Sequence, residues 1–349
     1  MNRMIERLNR HIPVNVRKNP LVASLVAVLY RILLHFDSDF RSIMDSAISM
    51  CGQSADKRAL RRDMLIEFIK ASVSPVEYAR FEFANKKQEQ RRSYIPDFEE
   101  VSICKWTKGH NILPDSKYDR YRMFSKYFLR KVLCISYNND VTEIAYSEFL
   151  SSLNKIVCKP LKGTKGHGIS IIDSNLVPTL SEFRRRFLGD YLVEEAIQQG
   201  DELGMFHPGS INTVRFVTGM DRHGRFRNIF ALARIGQGDS IVDNGLVAMI
   251  DIVGGVISTD AFRGTTRYSV HPDTNVQFRG HKIPEWEKLC TLVRDIHTEH
   301  PGQMVFGFDL AWTKKGWDLV EVNPAPSFDS YQQLTGEGIR PYLKEIEIL

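Results

Sequence analysis

The sequence predicts an α+β fold in which a helical N-terminal lobe precedes a core of strands and helices. In residues 1–95, apolar residues recur between charged residues at helical spacing. After residue 150, β-branched and aromatic runs alternate with turn residues, as in strands joined by short loops. Near the C-terminus, residues 307–312 and 318–324 alternate apolar and polar side chains around a short turn, which indicates a β-hairpin.

The distribution of these helix and strand patterns divides the chain into four segments. Residues 1–95 form the helical N-terminal lobe, and residues 96–150 form a mixed segment before the sheets. Residues 151–330 form the α+β core, and residues 331–349 form a tail that ends in a helix. No internal repeat or low-complexity stretch interrupts this order.

Individual elements can be placed on these segments. A helix over residues 118–128 is rich in charge and aromatic side chains, and a second covers residues 284–298 with Pro284 in its first turn. The strand predictions in the core cover residues 156–160, 169–172, 191–195, 213–218 and 229–234.

The composition argues against several classes of protein. The chain has 349 residues, of which 43% are hydrophobic, and its formal net charge of +5 comes from basic residues interspersed with acids. No continuous basic track marks a nucleic-acid surface, so nucleic acid is not an expected partner. Five widely spaced cysteines without a CxxC pair favour reduced thiols and a cytoplasmic protein over a disulfide framework or a zinc site.

The N-terminus carries a basic stretch followed by an apolar run over residues 21–30. The run stops at Arg31, which makes it short for a membrane span, and no small-residue cleavage site of a signal peptide follows. A buried helix is the favoured interpretation. The alternative is a basic helix that makes peripheral contact with the inner membrane surface, because cationic flanks beside apolar residues suit that interface.

The C-terminal hairpin brings hard oxygen ligands together. If its loop is residues 314–316, Asp309 falls directly opposite Glu321, and Asn323 shares the face of Glu321 because side chains alternate along a strand. Two carboxylates and an amide oxygen suit Mg²⁺, with Mn²⁺ as the alternative cation. The simpler interpretation is an ordinary hairpin with solvated acids.

A glycine-rich loop follows the strand that ends at Lys159. Glycines let backbone N–H groups approach an anion closely, and lysine adds a point charge, so such a loop can wrap phosphates. It is not a Walker A loop, because the spacing differs and a strand follows the glycines instead of a helix. A simple hairpin turn is the alternative. The candidate nucleotide-binding residues are Lys159, Lys162, Gly163, Gly166 and Gly168.

Two further groups of residues fit a nucleotide site. The strand at residues 191–195 continues into a polar loop, and its edge could read an adenine while the loop carboxylates accept ribose hydroxyls; a plain strand and loop is the alternative. Arg215 and Arg234 lie in apolar strands, where each needs an anionic partner, which is either a structural carboxylate or a bound phosphate or carboxylate. The candidate adenine and ribose residues are Glu194, Glu195, Ala196, Asp201 and Glu202.

In order, these motifs resemble the ATP-grasp superfamily, and most closely its sugar-transfer-associated branch, which is found with polysaccharide biosynthesis. The resemblance covers about residues 115–330. It is carried by the Lys159 loop, the Glu194–Glu195 pair, the run at residues 208–215, and the hairpin acids. It implies an ATP-grasp fold, in which two α+β subdomains of the 151–330 core grip ATP.

The resemblance also implies a role for each matched residue. Lys159 would contact phosphate in catalysis, residues 163–168 would close as a lid, and residues 194–196 would hold adenine. Arg215 and Arg234 would act in catalysis by facing phosphate or the acyl group. The metal ligands would be Asp309, Glu321 and Asn323.

Two departures from the family pattern stand out. Related sequences tend to have a double glycine several residues after the position of Asp243 and Asn244, where this chain has residues 245–249 without one. This difference affects the acceptor side more than the nucleotide side. The second nucleotide-binding lysine, which the family supplies before the lid, is Lys126 or Lys131, and Lys126 is favoured.

The function that the resemblance implies is ADP-forming carboxylate–amine ligation: ATP phosphorylates a carboxylate, and an amine acceptor displaces phosphate to form an amide. The implied substrates are a sugar acid, an amino sugar or an amino acid in surface-polysaccharide or related synthesis, by family analogy. The alternatives are a small-molecule kinase and a non-catalytic nucleotide-binding module of a glycan-assembly complex. The sequence predicts no particular oligomeric state.

Overall fold

The computed structural model describes residue 25 and residues 38–52, 56–104, 113–114, 116–136, 141–162, 168–240 and 245–349. Most of the apolar run at 21–30, lid residues 163–167 and Asp243 and Asn244 lie outside this described part. Within it, twelve α-helices accompany two antiparallel sheets. No helix among the described residues is long and apolar enough to cross a membrane.

The N-terminal helices form a small bundle with its own aromatic core. Phe40, Phe68 and Tyr78 are buried in it. Local capping fixes the helix starts, since Asp56 accepts backbone N–H groups of α2 and Ser74 forms a capping box with Glu77 at α3. The helices are α1 (Ser38–Met50), α2 (Lys57–Ala71), α3 (Pro75–Arg80), α4 (Gln88–Arg91) and α5 (Asp97–Cys104).

The smaller sheet has four strands in the order β1-β4-β2-β3. Tyr146 and Phe183, from the two helices α7 and α8, are buried in one cluster with the apolar strand residues. Helix α6 (Lys117–Phe124) precedes the first strand. The elements are β1 (Val132–Ile135), α7 (Glu143–Leu150), β2 (Lys155–Pro160), β3 (Ser170–Asp173), α8 (Leu180–Arg186) and β4 (Tyr191–Glu195).

The larger sheet has seven strands in the order β11-β10-β5-β6-β7-β8-β9. Phe216 on one face stacks on Trp286 of α10, whereas Phe230 on the other face packs against Phe328 and the C-terminal helices. The elements are α9 (Asp201–Gly204), β5 (Thr213–Met220), β6 (Phe226–Ile235), β7 (Leu246–Ile250), β8 (Ala261–Arg263), β9 (Thr266–Tyr268), α10 (Trp286–Thr298), β10 (Val305–Thr313), β11 (Gly316–Asn323), α11 (Asp329–Thr335) and α12 (Arg340–Glu345).

The five strand predictions of the core are confirmed as β2 to β6, with ends shifted by a few residues. The helix predicted over residues 284–298 begins at Trp286 instead. Glu285 takes a left-handed conformation with φ of 49°, so Pro284 lies before the helix and not in its first turn. The helix predicted over residues 118–128 ends as an α-helix at Phe124 and continues as a 3₁₀ turn.

The segment around α5 joins the N-terminal helices to the C-terminal tail. Glu100 accepts the backbone N–H groups of Ser327 and Phe328 at 2.6 and 2.7 Å. Gln332 exchanges two hydrogen bonds with the backbone of Ile95, and Arg340 forms a bidentate pair with Glu99. The segment around α5 therefore anchors Ser327 and Phe328, which follow the last strand of the hairpin.

The buried carboxylates of this region give the fold a pH-dependent stability. Burial raises the pKa of Glu77 and of Glu100 to about 7 from 4.5. Because the folded chain then holds protons that the unfolded chain releases, stability is expected to fall as pH rises from about 4.5 to about 7. Each group contributes a slope of at most about 1.4 kcal/mol per pH unit.

Thermal unfolding of Glu77→Gln and Glu100→Gln across this pH range measures the effect. Each variant is expected to show a flatter decline of the unfolding midpoint with pH than the parent protein. Glu89→Gln, at an exposed position of α4, is the matched control. If the unfolding midpoint of both variants declined with pH as steeply as that of the parent protein, the raised pKa values of Glu77 and Glu100 would not be the cause of the decline.

Candidate active site

The C-terminal hairpin has the predicted pairing but a different turn. β10 and β11 are antiparallel, and Asp309 lies opposite Glu321, which confirms the predicted register. The loop is one residue shorter than predicted, because Thr313 pairs with Gly316. Val320 is an extra residue in β11, and this bulge restores the alignment that the shorter loop would have lost.

Asp309 is the most heavily bonded carboxylate of the site. Arg215, opposite it on β5, binds both of its oxygens at 2.7 Å, and Arg234 on β6 reaches Oδ2 at 3.0 Å. The Asn323 amide nitrogen donates to the same oxygen at 3.3 Å. Burial would raise the pKa of Asp309, but the two guanidinium charges hold it below its usual value. The sequence predicted that Arg215 and Arg234 each need an anionic partner, and the Asp309 carboxylate is that partner for both.

Glu321 differs sharply from its neighbour. Among the described residues, no side chain or backbone group donates a hydrogen bond to its carboxylate. Its side chain is exposed by surface area, yet surrounding atoms crowd the carboxylate, and this desolvation together with the Asp309 charge raises its pKa. An unpaired carboxylate beside a second one is suited to a cation.

The chemistry of the donor set fits a hard cation. Among the described residues, no group of three or more His, Cys, Asp or Glu side chains is arranged to hold a metal ion, and this set has two carboxylates and one amide. Asn323 donates its amide nitrogen to Asp309, and no described group donates to its carbonyl oxygen. A carboxylate and an amide oxygen are ligands that Mg²⁺ accepts, with phosphate oxygens and water completing its coordination.

A second cluster of charges lies on the smaller sheet. Lys159 on β2 donates to Glu194 Oε2 on β4 at 2.8 Å, and Arg130 Nε donates to the same oxygen at 2.8 Å. Burial would raise the pKa of Glu194, but the Lys159 and Arg130 charges hold it below its usual value. The Glu194 carboxylate is therefore a link in an ion network.

Sequence analysis missed Arg130, whose side chain is only 2% exposed. Besides Glu194, its guanidinium binds Asp318 Oδ1 at 2.8 Å and the Leu319 carbonyl at 2.7 Å, both on β11. The sequence does contain a signal for it: Arg130 lies between the aromatic residues before β1 and the apolar residues of that strand. A cation in such surroundings needs buried partners.

Lys117, also missed, lies among the same charges, in the space between the hairpin carboxylates and Lys159 that we call the cleft. Its Nζ donates to the Pro160 carbonyl at 2.7 Å, and burial lowers its pKa, while the charges of Glu321, Lys159 and Glu194 also act on it. This lysine opens α6, whose first turn the sequence marks with the N-cap Ser116. Lys117 and Lys159 thus face the hairpin carboxylate from the other side.

The structure does not bring Lys126 or Lys131 into this cluster. Lys126 is exposed and pairs with Glu299 on α10, and Lys131 donates to Ser152 at 2.9 Å. The physical reason is the geometry of α6 and of the turn after it, which direct Lys126 toward α10.

The residues expected at adenine and ribose lie along the connection between the two sheets. The backbone N–H groups of Glu195 and Ala196 donate to the carbonyls of Lys131 and Lys155 at 2.9 and 3.2 Å. Asp201 is exposed at the start of α9, and the neighbouring Glu202 accepts the Trp312 indole N–H at 2.7 Å. This connection is thereby tied to the end of β10.

The glycine-rich loop is described only at its two ends. Lys162 is exposed after β2, whereas Gly163 and Gly166 lie outside the described residues. Gly168 has φ of +78°, and a Cβ added there would lie 2.9 Å from Pro160 Cγ, so the position requires glycine.

Comparison with known families identifies the family of this chain. A family model described as sugar-transfer associated ATP-grasp matches residues 130–348. This chain belongs to the sugar-transfer associated ATP-grasp family, and its fold is an ATP-grasp fold with a helical N-terminal region. No curated protein sequence is significantly similar to the chain.

Solved structures similar to this chain include two synthetases of low sequence identity. N5-carboxyaminoimidazole ribonucleotide synthetase from Thermotoga maritima has 13% identity and a TM-score of 0.35, covering 62% of this chain and 43% of its own. D-alanyl-alanine synthetase A from Vibrio cholerae has 12% identity and a TM-score of 0.38, covering 65% and 62%. The match thus spans less than two thirds of each of these proteins.

Proposed function

We propose that the protein is an ADP-forming carboxylate–amine ligase that uses ATP with Mg²⁺ or Mn²⁺. The observation that carries the proposal is the arrangement of charges around one cleft. Asp309 and the unpaired Glu321 lie on the larger sheet, while Lys159 and Lys117 lie on the side of the smaller sheet. A divalent cation on one side and two lysines on the other suit a bound triphosphate.

Each residue has a defined task in this proposal. Lys117 and Lys159 bind phosphate oxygens, and the lid at 163–168 adds backbone N–H donors. Glu321, Asn323 and Asp309 hold the cation, which when bound neutralises charge on the phosphates. Arg215 and Arg234 orient the carboxylate substrate beside the terminal phosphate. The adenine lies along residues 194–196, and Asp201 and Glu202 accept the ribose hydroxyls.

The reaction has two chemical steps. A carboxylate oxygen attacks the terminal phosphorus, the bond to the bridging oxygen breaks, and ADP leaves. The amine nitrogen then attacks the acyl carbon, phosphate leaves with the bonding electron pair, and the nitrogen loses a proton to solvent. Because the arginines already lie beside Asp309, the substrate carboxylate would bind close to the cation.

The substrates follow from the family description alone. Association with sugar transfer favours a sugar acid, an amino sugar or an amino acid that is joined during surface-polysaccharide or related synthesis. In this setting the protein works in the cytoplasm.

A screen for ADP release tests the proposal. The protein is incubated with Mg²⁺, ATP and pairs of sugar acids, amino sugars and amino acids, and the mass of each product is recorded. A ligase releases ADP and phosphate only with an acid and an amine together, and the product is an amide. A phosphorylated hydroxyl compound formed without an amine would instead identify a kinase, and ATP binding without turnover on any pair would favour a binding module.

Substitution of Lys117 and substitution of Lys126 are expected to have different effects on the affinity for Mg·ATP. Because Lys117 lies in the cleft and Lys126 pairs with Glu299 at the surface, Lys117→Met is expected to weaken Mg·ATP binding by about tenfold. Lys126→Met is expected to bind as the parent protein does, by calorimetric titration. Lys288→Met, which alters an exposed lysine of α10, controls for the loss of one positive charge. Weaker binding in Lys126→Met alone would make Lys126 the nucleotide lysine instead.

A further inference from the structure

Arg130 connects the two sheets at the nucleotide cleft. It lies just before β1 of the smaller sheet, and its side chain is almost completely buried. Its Nε donates to Glu194 on that sheet, and its Nη1 donates to Asp318 and to the Leu319 carbonyl on β11 of the larger sheet. The Phe128 ring lies against the guanidinium, 4.5 Å from its carbon to the ring centroid.

Arg130 belongs to a cluster of four charged side chains whose charges cancel. Arg130 and Lys159 carry two positive charges, and Glu194 and Asp318 carry two negative charges. Glu194 Oε2 accepts from both cations at 2.8 Å. Of the four side chains, Lys159 is the most accessible at 19% exposure, whereas the others are 2–4% exposed.

Loss of Arg130 would change what Lys159 can do. Two buried carboxylates would remain with a single cation between them, and Glu194 would then pair with Lys159 alone. Because a buried carboxylate binds its only counter-ion strongly, the Lys159 charge would be less available to an incoming phosphate. With Arg130 present, Glu194 has a second cation, and Lys159 can change partner at lower cost.

Arg130 also contacts the strand from which Glu321 projects. Its donors reach the Leu319 carbonyl at 2.7 Å and the Val320 carbonyl at the longer distance of 3.4 Å. Val320 is the extra residue of the bulge that brings Glu321 opposite Asp309. The same guanidinium therefore contacts both sides of the cleft, close to a phosphate ligand on one side and a metal ligand on the other.

We propose that Arg130 is a positioning residue that keeps Lys159 available to nucleotide phosphate and holds the β11 bulge at the register that presents Glu321. The proposal rests on the proposed function, because it takes Lys159 as a phosphate ligand. Arg130 itself touches no substrate. Lysine is a poor substitute at this position. Its single ammonium group lacks the separated N–H donors of a planar guanidinium, so it cannot bind a carboxylate on each sheet at once.

Calorimetric titration of the full-length protein with Mg·ATP tests this role. Arg130→Met is expected to weaken binding by at least about tenfold, and Arg130→Lys by a smaller factor. The decisive comparison repeats Arg130→Met in a Glu194→Gln background. There the competing carboxylate charge is gone, so the same substitution is expected to change the affinity by less than about threefold.

The outcomes distinguish a positioning role from a purely structural one. Equal weakening in both backgrounds would overturn the role of Arg130 in keeping Lys159 available, and undiminished binding by Arg130→Met would overturn the whole proposal. If Arg130→Met does not fold, by circular dichroism, Arg130→Lys decides, and parent-like affinity in that variant would also overturn it. Failure of the parent protein to bind Mg·ATP would refute the proposed function itself and this role with it.

Discussion

Replacing Glu321 with glutamine is expected to lower turnover by at least about 100-fold while leaving the fold intact. The change removes one negative charge from the cation site without changing side-chain volume. Glu321 accepts no hydrogen bond from the described residues, so the fold loses no partner. Desolvation and the neighbouring Asp309 charge raise the pKa of its carboxylate, and a bound cation would counteract both effects.

The measurement is the rate of ADP formation with the acid and amine pair found in the product screen, at saturating ATP and several Mg²⁺ concentrations. Thermal unfolding of the same variant is expected to show an unchanged or slightly higher midpoint. Glu287→Gln, which alters an exposed carboxylate of α10, is the control for loss of one surface charge. Full activity of Glu321→Gln at every Mg²⁺ concentration would exclude this residue as a metal ligand.

The sequence was sufficient for the hairpin because the pattern that predicts it is local. Alternation of apolar and polar residues fixes which side chains share a face, and that placed Asp309 opposite Glu321. The turn and the bulge could not be separated, because a longer loop and a shorter loop with an extra residue at Val320 give the same register. Two compensating differences therefore left the prediction of the pairing correct.

The second nucleotide-binding lysine could not be identified from local sequence patterns alone. The family pattern asks for a lysine before the lid, and several lysines of the 117–131 stretch satisfy that spacing. Which of them faces the cleft depends on the packing of α6, and that is set by contacts with the distant α10 and β2. The same holds for Arg130, whose partners on β11 are far along the chain.

The role of the N-terminal region was likewise hidden from sequence. Nothing in α5 resembles a chemical motif, yet Glu100 holds the backbone at Ser327, just beyond metal-ligand candidate Asn323. Ser327 has a positive φ of 69°, a strained value for a residue with a side chain. The Glu100 contact stabilises that conformation, so α5 contributes to the shape of the site edge.

Replacing Arg215 with methionine is expected to destabilise the protein by about 3 kcal/mol and also to abolish measurable ligation. Arg215 binds both oxygens of Asp309, a carboxylate whose side chain is 4% exposed. The single substitution leaves this buried charge with Arg234 and the Asn323 amide, which reach only one of its oxygens. Urea unfolding measures the loss of stability directly.

A double variant distinguishes an unpaired charge from lost packing. In Arg215→Met with Asp309→Asn, the buried negative charge is also removed, so much of the stability is expected to return while ligation stays absent. Loss of packing around the arginine stem would leave the double variant as unstable as the single one. Recovery of stability without recovery of activity would mean that the fold needs only charge balance at this position, whereas the reaction needs the guanidinium and the carboxylate themselves.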